Sequence, residues 1–155
     1  MKSLARNFTT YYYALYEGKS RVMDEDGNYT GEWDISFSDV VKVRDTISAA
    51  RGNAEDDIFG VNLDYQRQIV TTANRPIDEY SAIWICGTLS AITEEAHSVG
   101  DLGIYNGKIY KCITANEETF NADYWELYPQ THKVVAVAKS INSTVYAIKE
   151  VDINA

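Results

Sequence analysis

Several residue types are scarce in this 155-residue chain, and each scarcity closes off a class of function. There are two cysteines, Cys86 and Cys112. They cannot form a disulfide framework and neither sits in a CxxC pair, so nothing here calls for an oxidising compartment. Each follows strand-like apolar residues, "AIWIC" and "IYKCI", where a buried free thiol is expected. Two histidines, His97 and His132, offer neither an HxxxH nor an HExxH, so no zinc site is expected. GxSxG, the phosphate-cradling GxxxxGK[ST] and GxGxxG are all missing. The N-terminus "MKSLARNFTTYYYALYEG" lacks the apolar core of a signal peptide, and no apolar run approaches membrane-spanning length. Synthesis and folding in a cytoplasm are expected, without membrane association. Cations are outnumbered, 14 Lys+Arg against 23 Asp+Glu, a formal charge of −9. That field repels nucleic acid and anionic lipid and keeps the chain soluble; beside DNA, it would let the polymer pass without sticking.

Tyrosine is plentiful: 12, against 4 Phe and 3 Trp. Its apolar body and polar tip suit half-buried strands and interfaces. The length suits one domain, or one domain with a small insert.

The pattern along the chain is mainly of strands. Thr9 to Gly18 is a β-rich run expected to end in a glycine turn. Ser20 to Trp33 centres on Asp26-Gly27-Asn28, a two-residue hairpin signal. "DISFSDVVKVR" is one bent strand, or two strands broken at Ser38-Asp39. Ser48 to Tyr65 has little periodicity and an acidic cluster, and reads as a long loop of the kind that carries function or disorder. Tyr65 to Ala73 returns to strand; a proline turn and a helical turn at Asp78 to Ser81 precede a short buried strand, Ala82 to Cys86. "VGDLGIYNGKIYKCI" is a hairpin around Asn106-Gly107. "HKVVAVAKSI" and "STVYAIKEV" close the chain around Asn142-Ser143, with Val135, Val137 and Ile141 facing Val145, Ala147 and Val151. Seven or eight short strands at hairpin spacing imply a mainly β protein, a small antiparallel β-barrel with long loops and a small inserted β-hairpin minidomain.

Catalytic constellations are poor. Cys112 with His132 is a formal nucleophile pair, but the thiol falls in mid-strand. "DEDGN" starts like a calcium loop with Asp24, Asp26 and Asn28, yet Tyr29 stands where the sixth-position glycine belongs and Ile35 where the bidentate glutamate belongs. The remaining carboxylate pairs read as solvated surface. No enzyme, cofactor or metal is expected.

The segments "ISxxRG", "FGxNLDYxxxI", "PIDExSxxWI" and the closing "HKVVAVAKSINSTVYAIKEV" are similar to a family of head–tail joining proteins in tailed phages of Gram-positive hosts. The similarity covers about residues 39–84 and 131–151. It implies a head-closure or stopper protein. Such proteins are small β-barrels that assemble as a ring, usually a hexamer, between the portal–adaptor and the tail. DNA passes through without sequence-specific binding, and the protein resides in the virion neck. On this resemblance, the 48–64 loop is a lumen or inter-subunit element, with Arg51, Glu55, Asp56, Asp57 and Phe59 as its candidates.

The chain departs from that family between Leu89 and Gln130, where members have a short polar loop. The barrel domain is then 1–88 with 131–155, and 89–130 is an insert. "SVGDLGIYNGKIYKCITANEETFNADYWEL" resembles small carbohydrate-binding modules of chitinases and endoglucanases: Gly100-Asp101, Tyr105, Asn106-Gly107, Tyr110 and Trp125 match in order. An upstream aromatic usual in those modules is missing from "ITEEAHSV". The resemblance implies glycan stacking by Tyr105, Tyr124 and Trp125, with Phe120 and Tyr128 as further candidates. Against it stands a plainer expectation, that Tyr110 and Trp125 are used simply to fold the module. The alternative function is therefore a carbohydrate-binding adhesin module that recognises host cell-wall glycan.

Overall fold

A computed structural model describes residues 8–49 and 67–151. Among the described residues there are eleven strands and no helix. Six form a closed antiparallel barrel: β1 (Phe8–Ala14), β4 (Val41–Ala49), β5 (Arg67–Thr71), β11 (Thr144–Glu150), β10 (His132–Lys139) and β6 (Ala82–Trp84), in that order, with β6 returning to β1. Closure removes the free edges that an open sheet of this size would expose. The break between β3 (Tyr29–Phe37) and β4 lies at Ser38 to Val40, so "DISFSDVVKVR" is two strands.

Side-chain alternation explains the barrel core. Tyr11 and Tyr13 of β1 point inward beside Ile69, Ile83, Val134, Tyr146 and Ile148, while Tyr12 and Ala14 point outward. Three of the tyrosines thus fill the interior rather than an interface. Tyr11 directs its hydroxyl to Asp45 Oδ2 at 2.6 Å, which makes so polar a core tolerable.

Three local expectations are corrected, and the turn expected at Asp78 to Ser81 is present. Gly18 does not end a strand; it lies inside β2 (Tyr16–Met23) at a pairing irregularity, φ +135°, and the break comes at Leu15. The hairpin at Asp26-Gly27 is longer than two residues. Asp24 donates its N–H to the carbonyl of Asn28, and its Oδ1 accepts from the amides of Asp26 and Asn28. A carboxylate satisfying two loop amides stabilises this longer turn over the two-residue form. The segment at Asp78 to Ser81 is a single turn closed by Ser81 N–H to Asp78 C=O. In β10 the register shifts between Val134 and Ala136, so Val134 and Val137, not Val135 and Val137, reach the core. A bulge inserts one residue and flips the alternation. On β11 it is Tyr146 and Ile148 that enter the barrel core, and Ile141 is wholly exposed.

The 89–130 segment carries a second sheet: β7 (Leu102–Tyr105), β8 (Lys108–Cys112) and β9 (Trp125–Leu127), in that order. Asn106 and Gly107 have φ of +50° and +77°, the double positive φ of a type I′ turn. The sheet has its own small core of Ile92, Cys112 and Trp125. It is also joined to the barrel wall. Ile109 packs on Tyr12, Ala14, Ala82 and Trp84, so β1 and β6 are covered on both faces. Polar links reinforce the joint: Val40 N–H to Gly107 C=O, Lys108 Nζ to the carbonyls of Phe37 and Ser38, and Trp84 Nε1 to Tyr128 C=O. Leu89 N–H donates to the Tyr12 hydroxyl at 2.8 Å.

Candidate functional site

Strands β2 and β3 leave the barrel as a two-stranded ribbon that, among the described residues, no other sheet covers. At 8 residues β2 gives it a length of about 27 Å. Such a ribbon is marginal in water without further packing.

Its two faces differ in chemistry. Cross-strand partners share a face. Lys19 pairs with Ile35, Arg21 with Trp33 and Met23 with Tyr29, which gathers the large apolar groups and both cations on one side. Lys19 Nζ lies 4.6 Å from the Trp33 ring centroid. The Arg21 guanidinium lies 4.8 Å from Tyr29 and 5.4 Å from Trp33. This ladder of cations on aromatic faces holds the long side chains flat. Met23, Tyr29, Trp33 and Ile35 are each 50–58% exposed. On the other face Ser20 pairs with Asp34, and Glu32 follows at the pairing irregularity between Arg21 and Met23. The ribbon was legible as a hairpin, but Tyr29, Trp33 and Ile35 look in sequence like any core-facing stripe.

At the base of the ribbon, a cleft of about 630 Å³ opens between ribbon, barrel and insert. Phe37, Val40, Trp84, Ile109, Leu127 and Tyr128 line much of it. Its one lining ammonium, Lys108, is already held by two carbonyls. Ile35 lines the cleft too, so the apolar ribbon face runs into it. A surface of this make-up suits docking better than proton or group transfer.

The sequence-designated residues are distributed elsewhere. Arg51, Glu55, Asp56, Asp57 and Phe59 lie outside the described residues. Trp125 is only 3% exposed and packs against the His97 ring in a T-shaped pair with centroids 5.0 Å apart, so it cannot offer a face to a sugar. His97 Nε2 approaches the carbonyls of Thr93 and Glu118 at 2.8 and 3.1 Å, so this nitrogen carries the proton and ties the insert's loops together. Tyr124 is half-buried against that core, as are Tyr110 and Phe120. Tyr105 stands apart, 45% exposed and stacked on Phe120 at 4.1 Å. The structure therefore brings Tyr124 and Trp125 together in a core and leaves Tyr105 outside it.

Cys112 and His132 are not assembled into a pair. The Cys112 thiol donates to the Thr114 carbonyl inside the insert, while His132 Nδ1 meets Thr131 Oγ1 on the barrel. Burial pushes the Cys86 thiol up to about 11, away from a reactive thiolate. In the barrel, Arg75 Nε and Asp45 Oδ2 pair at 2.8 Å, with Arg75 Nη2 3.1 Å from Oδ1. That bond holds the guanidinium above its ordinary range. Burial and then the hydrogen bond to Asp45 keep the Tyr11 phenol far above the usual tyrosine range, and burial raises Tyr146 as well. Tyr11, Asp45 and Arg75 form a hydrogen-bonded structural network, beside which the buried Tyr146 hydroxyl has no hydrogen-bond partner among the described residues. Among the described residues no group of three or more His, Cys, Asp or Glu could hold a metal ion. No family model matches the chain, and no curated protein or solved structure matches it.

Proposed function

We propose that this chain is a structural ring subunit, a head-closure or stopper protein joining the portal–adaptor to the tail around the DNA channel of a tailed phage. The observation that carries the reading is the β2–β3 ribbon, whose aromatic face is left in solvent by its own barrel. Exposed apolar surface continuous with a cleft marks an interaction site. The sequence resemblance names the kind of assembly. The charge of −9 supports a channel through which DNA slides without adhering. The portal–adaptor on one side and a tail protein on the other are the proposed partners, and a hexamer is the proposed ring.

In the alternative reading the insert binds host cell-wall glycan. Exposed Tyr105 is the one observation in its favour, because Trp125 is used in the core. The docking of Ile109 on β1 and β6 supports a different role, covering and bracing the barrel wall. Native mass spectrometry of the purified chain tests the ring: a closed homo-oligomer is expected, and a monomer at every concentration refutes it. A cell-wall glycan array tests the alternative: binding abolished by Tyr105→Ala would replace the ring reading.

A further inference from the structure

The two faces of the ribbon are complementary to each other. One presents Lys19, Arg21, Tyr29 and Trp33, and the other Asp34, with Glu32 close by at the pairing irregularity. The loop at its tip adds Asp24, Glu25 and Asp26. Among the described residues neither Lys19 nor Arg21 has a carboxylate partner within its own chain. Their charge is spent only on aromatic rings, in a protein whose balance is −9.

We propose that the ribbon is the contact between copies: the aromatic, cationic face of one ribbon lies on the acidic face of the next copy's ribbon. This rests on the ring reading above and specifies its interface. Because the two faces lie on opposite sides of one element, the contact is heterologous. Each copy offers one face forward and the other back, and such a contact repeats until the rotation closes a ring. A contact joining like face to like face would set cation against cation and stop at a dimer. Trp33, flanked by both cations, is the expected centre of the interface, since Trp and Arg dominate interface energetics. The acidic partner face supplies the charges that Lys19 and Arg21 lack among the described residues of their own chain, which favours the correct register over others.

The test uses the full chain and charge exchange at four exposed positions. One variant carries Lys19→Glu and Arg21→Glu, making both ribbon faces acidic. The other carries Glu32→Lys and Asp34→Lys, making both basic. Each alone should associate at least about 30-fold more weakly than wild type by sedimentation velocity, a factor that corresponds to ~2 kcal/mol. An equimolar mixture should regain assemblies with the two variants alternating, which native mass spectrometry reads from composition. Trp33→Ala should weaken association by a similar factor without affecting charge. Circular dichroism and the thermal midpoint verify that each variant is folded. Wild-type-like assembly of the separate variants overturns the proposal while leaving the ring reading intact, and so does a mixture that stays dissociated. A wild-type chain that never associates overturns both. If Lys19→Glu/Arg21→Glu leaves association unchanged but abolishes retention of a labelled single-stranded oligonucleotide, the face binds nucleic acid and the proposal is wrong.

Discussion

Replacing Ile109 by Ala probes whether the 89–130 segment is part of the barrel's wall or merely tethered to it. Ile109 is 1% exposed and sits on Tyr12, Ala14, Ala82 and Trp84. The substitution deletes three carbons, roughly 2.4 kcal/mol of transfer free energy at ~0.8 kcal/mol each. The cavity left between two sheets adds to this, giving a loss of about 3 kcal/mol within the usual 2–5 range. For a chain of 155 residues, that is a fall of about 6–12 °C in thermal midpoint. In urea, with a slope of ~2 kcal/mol/M, the midpoint falls by about 1.5 M. Tryptophan fluorescence and far-UV circular dichroism should follow one common transition, because Trp84 of the barrel and Trp125 of the insert belong to cores that unfold together. A loss below about 1 kcal/mol, or a separate early transition with the barrel midpoint unchanged, would refute the shared core.

Three further outcomes follow from other parts of the molecule. Asp45→Asn leaves the Arg75 guanidinium without its ion pair and weakens the hydrogen bond from Tyr11; because Arg75 is partly solvated, a loss of about 2–3 kcal/mol in urea unfolding is expected, at or below the low end for buried pairs. Gly107→Ala forces a side chain into positive φ and against Asp39, so it should cost ~2 kcal/mol or more, while Asn106→Gly in the same turn should be nearly neutral; equal effects of the two would contradict the close approach of turn and barrel. His132 is held below the usual imidazole range by burial and by Arg67. The unfolded chain therefore binds the proton first, so this contribution to stability is complete above about pH 6.5 and is lost as pH falls through the window below it. The difference in urea midpoint between wild type and His132→Asn should accordingly shrink from pH 7.5 to pH 5.5, and a constant difference would exclude the linkage.

The fold class was legible because alternation and turn chemistry are local. Asn106-Gly107 announces a type I′ turn whatever surrounds it, and the valine- and tyrosine-rich runs can hardly be anything but strands. What was not legible depended on distant partners. The bulge at β10 arises from its pairing with β11, and nothing in "HKVVAVAKSI" marks Val135 as the residue that shifts. The valine and alanine positions of β11 have the same alternation as a core stripe, yet it is Tyr146, the largest side chain of that strand, that fills the barrel with Ile148. Trp125 and Tyr105 carry the same resemblance to sugar-stacking modules, and only packing distinguishes the buried ring from the exposed one.

The ribbon is the clearest case. Residues Tyr29, Trp33 and Ile35 have the spacing of a buried stripe, and spacing alone cannot reveal that no second sheet among the described residues covers it. Lys19 and Arg21 share a face of β2 by alternation, but the rings of Tyr29 and Trp33 reach them only when β2 pairs with β3.

The proposed ring around a DNA channel at the junction of head and tail is open to cryo-electron microscopy of purified virions with this chain tagged at its C-terminus. Tag density arranged as a ring at the neck, between portal and tail, with ribbons bridging adjacent subunits, is the expected result. Virions that lack the protein, or tag density at the distal tail tip, would contradict it.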